Sequence, residues 1–159
     1  MRGKTVQRET RPRAFAAICI AWKTSEKKEV ALIKRRDDHP HHLSGRWFVP
    51  GGAVAKNEHP SRTAARETLE ECGITVKEPT LLDVYELTEY WEHGGVSFSQ
   101  PVILAVYEAF YAKGTLRPVE ECTAAEWVAI KNIHKYVTAD TKKTHLSVAV
   151  RRVLGLKAK

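Results

Sequence analysis

No apolar run in this chain approaches the roughly 18 consecutive residues that a membrane-spanning helix requires, so a helical membrane protein is excluded. Cysteine is scarce. The three present, Cys19, Cys72 and Cys122, lie far apart and form no CxxC pair, which excludes a readable disulfide framework or cysteine zinc site. A reducing, cytoplasmic setting is therefore expected. Internal repeats and low-complexity tracts are also missing, so repeat architectures and long linkers are set aside. With 159 residues, 43% of them hydrophobic and 28% charged, the composition is that of one ordinary globular domain.

Acidic residues are in the minority: 19 Asp and Glu against 26 Lys and Arg give a formal net charge of +7. Much of the excess sits at the ends, in Arg2, Lys4, Arg8, Arg11 and Arg13 and again in Arg151, Arg152, Lys157 and Lys159. Such a balance steers anionic ligands, nucleotides and nucleic acid among them, although solvated tails account for it equally well. Residues 1–13 are nearly acid-free and lack the apolar stretch of a secretory leader. They read as a basic N-terminal tail ahead of a single domain at 14–156.

Ala14–Trp22 is a continuous apolar run, and residues 29–34 (EVALIK) supply another after the charged stretch 23–28, which predicts a hairpin. A polar loop over 35–45 carries His39, His41 and His42 and leads to a short strand at 46–49 (RWFV), stopped by Pro50, Gly51 and Gly52. Further strands are predicted at 74–76, 81–88 and 96–99, with the strongest buried candidate at 101–111 (PVILAVYEAFY). Residues 113–122 read as a loop, 126–130 as a short strand, 131–136 as a helical turn and 141–154 as a closing helix. The expected fold class is mixed α/β (α+β): a curved mixed sheet with one helix on one side and another covering the far side.

The densest chemistry lies in residues 60–72. Pro60 suits a first helical turn, where its missing N–H costs nothing, and Gly73 suits the left-handed residue past the last turn. Wound at about 100° per residue, Glu67, Glu70 and Glu71 share one face within an arc of roughly 100°. Ala65, Leu69 and Cys72 take the opposite face, with Thr68 at its edge. Carboxylates at this spacing repel, which calls for a compensating cation, and hard oxygen donors in this number suit Mg²⁺ or Mn²⁺. Arg66 stands four residues before Glu70, where its guanidinium can orient a carboxylate; a routine helix salt bridge is the alternative. Gly51 and Gly52 let a backbone group approach metal or phosphate without a side chain in the way.

Gly52, Glu58, Arg66, Glu67, Glu70, Glu71, Gly73 and Ile74 match the Nudix box, G-x5-E-x7-R-E-U-x-E-E-x-G-U, and on these residues the chain resembles the Nudix hydrolase family. Thr68 is the single departure, standing where the pattern has a bulky aliphatic residue. That change is expected to cost about 1 kcal/mol of packing and to spare the metal site. Residues 47–52 (WFVPGG) and 120–130 (EECTAAEWVAI) resemble the family's lead-in and its late acidic loop. The resemblance implies an α/β/α sandwich, Mg²⁺ or Mn²⁺ as cofactor, and cleavage of a phosphoanhydride in a nucleoside diphosphate linked to another group. It implies Glu67 and Glu71 as direct metal ligands, Glu70 as ligand or water-activating base, and Gly51 as a backbone neighbour of the metal. It makes Glu58 a support for the loop or the glutamates, and Glu120 or Glu121 a candidate extra ligand or general base, with a solvated acidic turn as the alternative.

For substrate, Gly52, Lys34, Arg35, Arg36 and Arg46 are candidates to meet phosphates, a solvated surface being the alternative for the four cations. Trp91, Tyr90, Phe98 and Phe48 are candidates to stack on a nucleobase. Core packing better explains Phe48 and Phe98, and Trp91, close to Glu89, Glu92 and His93, reads as more exposed. The histidines at 39–42 suit substrate phosphate or solvent better than a transition metal. The stretch 46–58 (RWFVPGGAVAKNE) resembles Nudix enzymes that act on nucleotide sugars, GDP-mannose mannosyl hydrolases especially. Those enzymes have an altered box, whereas Arg66-Glu67 and Glu70-Glu71 are intact here, which favours P–O–P cleavage. ADP-ribose or another nucleotide sugar leads; an oxidised (d)NTP is the alternative, and a nucleotide or RNA binding module with little turnover is the reading of another class. A nucleotide-type small molecule is the expected partner, nucleic acid the less favoured one, and the resemblance implies a homodimer.

Overall fold

The computed structural model describes residues 5–37 and 45–136. Strand β2 (Ala14–Trp22) shows why its sequence is apolar throughout. Alternate residues point to opposite faces, and both faces are covered. Ala17, Cys19 and Ala21 turn to one side, while Ile18, Ile20 and Trp22 turn to the other. The same division continues in β3 (Glu29–Arg35), where Ala31 and Ile33 oppose Val30 and Leu32, and in β7 (Val96–Gly114), where Ala105 and Ala109 oppose Leu104 and Val106. One face of the sheet is thus richer in small side chains, with Ile33 and Tyr107 among them, and the other is built from larger ones. Helix α1 (Pro60–Cys72) packs on the small face through Ala64 and Cys72, where short side chains let its backbone lie close to the strands.

The sheet runs in the order β1 (Gln7–Thr10), β7, β2, β3, β4 (Trp47–Phe48). To this path β5 (Gly51–Ala53) adds on β2, β6 (Ile74–His93) on β7, and β8 (Cys122–Ala129) on β3. β7 is parallel to β1 and β2, and the remaining pairings are antiparallel, so the sheet is mixed as expected. The predicted β2–β3 hairpin closes with Trp22 opposite Val30. A 3-10 helix, Ile130–Lys135, follows β8 and buries Ile133 on the large-residue face. Among the described residues no helix is long and apolar enough to cross a membrane.

Several expectations change. The segments predicted as separate strands at 74–76, 81–88, 96–99 and 101–111 form one long hairpin of β6 and β7, turned at Gly94 and Gly95, whose φ angles are 58° and 76°. The register shift between Lys77 and Thr80 absorbs Glu78 and Pro79, with further shifts after Thr75 and Leu81, so turn-like residues bend the ladder without ending it. Gln7–Thr10, assigned to the tail, pairs in parallel with Val96–Ser99. Its side chains are all exposed, so it carries no hydrophobic signal and exists as a strand because β7 reaches that far. β8 begins at Cys122, ahead of the predicted 126–130. The closing helix at 141–154 and the histidines at 39–42 lie outside the described residues.

Helix α1 is also rolled relative to the expected wheel. Leu69, placed on the apolar face, is 49% exposed, while Thr68, placed at the edge, is fully buried. Thr68, Ala64 and Cys72 form one stripe at i, i+4 spacing against the sheet, and the Thr68 hydroxyl donates to the Ala64 carbonyl at 2.7 Å. With its polarity met inside the helix, threonine serves as a small core residue against Cys19. Thr68→Leu, which restores the bulk of the family pattern, should therefore destabilise by about 1–3 kcal/mol, and Thr68→Val should stay within about 1 kcal/mol of wild type in urea titrations. A Leu variant more stable than wild type would show that the site has room to spare.

Candidate active site

Helix α1 is held at both ends. His59 Nδ1 accepts the Ser61 amide at 3.2 Å, Pro60 opens the first turn, and Gly73 at φ 74° returns its N–H to the Leu69 carbonyl. The loop that follows β7 satisfies the last turn as well, with the Val119 and Arg117 amides donating to the Glu71 and Cys72 carbonyls at 3.1 and 3.0 Å. That docking brings the acidic turn at 120–121 to the C-terminal end of the glutamate face.

One guanidinium organises most of the acids. Arg66 Nε and Nη2 grip Glu58 Oε2 and Oε1 at 2.8 and 2.9 Å, while Nη1 reaches Glu67 Oε1 at 3.0 Å and Glu70 Oε2 at 2.9 Å. Glu58 also accepts the Thr63 hydroxyl at 2.6 Å. Its bonds to Arg66, then to Thr63, hold its carboxyl down at about 2, and Glu58 in turn raises the Arg66 pKa. Glu58 therefore fixes Arg66, and Arg66 fixes Glu67 and Glu70, each of which is in direct contact with the guanidinium.

Glu71 belongs to a second cluster. It is 4% exposed, accepts the Gly51 amide at Oε1 (2.8 Å) and meets Arg35 Nη1 at Oε2 (3.0 Å). Arg35 Nη2 closes the ring by donating to the Gly51 carbonyl at 3.1 Å. Burial pushes the Glu71 carboxyl up to about 7, against the opposing pull of Arg35 and the Gly51 amide. Burial also raises Glu67.

Among the described residues no three carboxylate, imidazole or thiol side chains already converge on a point that would hold an ion. The donor chemistry nevertheless fits a divalent cation: three carboxylates on one helix face beside a backbone carbonyl are hard oxygen donors, and each carboxylate now answers to an arginine. Gly52 keeps this space open. A Cβ on it would lie 2.6 Å from Glu67 Oε1 and 2.7 Å from Glu67 Cδ.

The same glycine strand walls a cavity of about 220 Å³ on the large-residue face of the sheet. Phe48, Val49, Ile18, Val102 and Leu104 make it largely apolar, and Arg35, Glu89 and Gln100 supply its charged and amide groups. Glu89 is 2% exposed and sits opposite Gln100 in the β6–β7 ladder. Sequence reasoning passed over both. The signal was the alternation Tyr85, Leu87, Glu89 on the inward side of β6, which places a carboxylate where the pattern asks for a third core residue.

The other sequence candidates divide. Glu120 lies close enough to Glu71 to raise its pKa, and the Glu121 carbonyl accepts the Arg36 amide at 2.9 Å, which ties the acidic turn to the end of β3. The Arg46 carbonyl accepts the Arg35 amide at 3.2 Å, which places Arg46 next to the Glu71 cluster. Trp91 does not line the cavity. It stacks on Phe98 with ring centroids 5.4 Å apart, and Arg11 lies 5.2 Å from the same Phe98 ring. Phe48 is buried core, as expected, and also lines the cavity. Cys72 is buried on the sheet side of α1, also as expected.

A mixed-sheet α+β domain whose one described α-helix sets a glutamate cluster against a glycine strand that also walls a cavity defines the class of protein. The chain belongs to the Nudix hydrolase family: the NUDIX domain model matches residues 12–148. Members of this family generally use divalent metal ions. Among curated relatives, diphosphoinositol polyphosphate phosphohydrolase 2 of Rattus norvegicus is 34% identical over 70 residues, covering 44% of this chain and 36% of the relative. The human 3-beta enzyme of that name is 32% identical over 77 residues, 48% of this chain and 44% of the relative. The matched stretch thus spans less than half the length of either. A MutT NUDIX hydrolase structure from Burkholderia pseudomallei aligns with TM-score 0.57 and 29% identity over 75% of this chain and 84% of that one. The fold alone is shared with a MutT protein of Methanosarcina mazei, at TM-score 0.61 and 21% identity over 89% of this chain and 95% of that one.

Two outcomes follow from this geometry. Gly52→Ala meets only the far end of a flexible side chain, so it should fold with a loss under about 1 kcal/mol yet weaken Mg²⁺ binding by displacing Glu67. Gly51→Ala drives a Cβ to 2.6 Å from the Ala17 carbonyl, which is backbone, and should cost about 2 kcal/mol or more in urea titrations. The raised Glu71 pKa sets a pH dependence. Metal-free, its contribution to stability is full below about 4.5 and is lost as pH rises through about 7, a change on the order of 3 kcal/mol. Glu71→Gln should remove that loss, seen as a smaller decline in urea midpoint between pH 5 and pH 8 than wild type shows in chelator.

Proposed function

We propose that this protein hydrolyses a phosphoanhydride bond in a nucleoside diphosphate linked to another group, such as ADP-ribose or another nucleotide sugar, with Mg²⁺ or Mn²⁺. The observation that carries this reading is the apolar cavity that shares the Gly51–Gly52 wall with the glutamate cluster. A flat, uncharged ring suits such a cavity, and a diphosphate attached to it falls at the glycine edge. Glu67, Glu70 and Glu71 would hold the ions, which neutralise phosphate charge and acidify a water when bound. Arg66 orients Glu67 and Glu70, and Glu58 holds Arg66 in place. Arg35 keeps Glu71 turned toward Gly51, and Glu120 or Glu121 is the candidate for a further base at the rim.

The curated relatives' names favour a second reading, a diphosphoinositol polyphosphate substrate. A ring carrying phosphates at most positions requires several cations around it. This cavity supplies Arg35, already on Glu71, and opposes it with the Glu89 carboxylate. The nucleotide reading fits that lining better. An oxidised (d)NTP would use the same cavity and differ in its products.

The test is a panel of nucleoside diphosphate sugars, dNTPs and a diphosphoinositol polyphosphate with Mg²⁺ or Mn²⁺, products identified by mass. Release of a nucleoside monophosphate from a diphosphate sugar is expected, with Glu70→Gln slowing it by about 10²-fold or more. Turnover of the inositol compound alone would replace this reading with the second, and unchanged turnover by Glu70→Gln would remove that residue from the chemistry.

A further inference from the structure

We infer that Arg35 is an exchangeable counter-ion: it holds Glu71 Oε2 and the Gly51 carbonyl until a divalent cation takes those oxygens, and the released guanidinium then meets the diphosphate of the substrate. The inference rests on the metal-dependent reading above and adds to it a residue outside the box through which metal and substrate binding are coupled.

The two arginines that answer the acids of α1 are held differently. Arg66 commits both Nε and Nη2 to Glu58, so it stays in place whatever Glu67 and Glu70 bind. Arg35 has no such anchor. Among the described residues its acceptors are Glu71 Oε2, 3.0 Å from Nη1, and the Gly51 carbonyl, 3.1 Å from Nη2. Its Nε is buried and donates to nothing among them, a cost that a further acceptor would remove.

The oxygens that Arg35 holds are the ones a cation needs. Glu71 Oε1 accepts the Gly51 amide at 2.8 Å, a backbone donor fixed in β5, so Oε2 is the carboxylate oxygen able to change partner. Cys122 Sγ stands 3.9 Å from Oε2 and Glu71 is 4% exposed, which leaves little room for guanidinium and ion together. Two cations so close also repel strongly where water screens them poorly. Arg35 therefore yields Oε2 when an ion is held there. It lines the apolar cavity beside Gly51 and Gly52, the edge that a diphosphate passes on the proposed path to the glutamates. It also lines a second cavity of about 210 Å³ with Lys34, Asp37, Gly45 and Thr123, so the released side chain has space to swing. A phosphate at the glycine edge offers paired oxygens to a planar guanidinium and an acceptor to Nε. Linkage is reciprocal: substrate that draws Arg35 away tightens the metal, as the metal tightens substrate.

Three measurements on the full chain test this. Calorimetric titration with Mn²⁺, without nucleotide, compares wild type with Arg35→Gln and Arg35→Lys. Arg35→Gln removes the competing charge and should bind Mn²⁺ about fivefold or more tightly than wild type, with Arg35→Lys, still cationic, binding less tightly than Arg35→Gln. A residue that only positioned Glu71 for metal would give the opposite sign. At saturating Mn²⁺, kcat/KM for the diphosphate sugar identified by the panel above should nonetheless fall about tenfold or more in Arg35→Gln, because a charged bond to phosphate is lost. In wild-type crystals grown with Mn²⁺ and the uncleavable α,β-methylene-ADP, Arg35 should have left Glu71 Oε2 for a phosphate oxygen. Mn²⁺ bound no more tightly by Arg35→Gln, an unchanged kcat/KM, or Arg35 still on Glu71 Oε2 beside a bound ion overturns the inference and leaves the proposed reaction standing. Failure of wild type to bind Mn²⁺ overturns the parent reading instead, and the wild-type crystals remain decisive if the variants fail to fold.

Discussion

Charge repulsion within one helix turn is the constraint on which the rest of this structure depends. Glu67, Glu70 and Glu71 cannot share a helix face in isolation without mutual cost. Two arginines from different places answer it: Arg66 from the helix itself, anchored by Glu58 in the preceding loop, and Arg35 from the end of β3. The split leaves Glu67 and Glu70 partly open to solvent and Glu71 almost fully buried, so three residues of one type sit in three environments. A bound cation and these guanidiniums answer the same repulsion, which is why the acid cluster is stable as it stands and still chemically suited to metal.

Everything that places this cluster follows from the division of the sheet into a small face and a large face. Alanine and cysteine on β2, β3 and β7 bring α1 close to the strands, so that Glu71 can reach the Gly51 backbone. The opposite face, lined by Ile18, Val102 and Leu104, leaves the cavity. β5 joins the two. Being two glycines and an alanine, it is thin enough for a backbone amide to contact Glu71 and for Gly52 to abut Glu67 while the same residues wall the cavity. An added methyl at either glycine closes one of these approaches.

Much of this was legible in order along the chain. Proline at the first turn of α1, glycine at its cap, the period of the glutamates and the unbroken apolar runs of β2 and β7 are local patterns, and the helix and those strands appear where the patterns put them. The helix roll was not legible, because Thr68 hides its hydroxyl on the Ala64 carbonyl and so behaves as a core residue despite its polarity. The length of the β6–β7 hairpin escaped for a different reason. Bulges let Glu78 and Pro79 interrupt the alternation without interrupting the pairing, and Gln7–Thr10 is a strand with four exposed side chains that only its partner reveals.

The sequence by itself determined the family and which glutamates share a face of α1, because the box is a pattern of residue types at fixed helical spacing, and spacing survives in one dimension. It also determined that Arg66 and Glu70 would meet, since they are one helical turn apart. Only the tertiary structure decided that Arg35 belongs to Glu71 and that Trp91 stacks on Phe98. It alone put the buried Glu89 beside Gln100 in the cavity. Those partners are separated by 36 residues in one pair, and by seven and 11 across a hairpin in the others. Their meeting depends on strand register, which is set by the summed packing of two sheet faces rather than by any local run of residues.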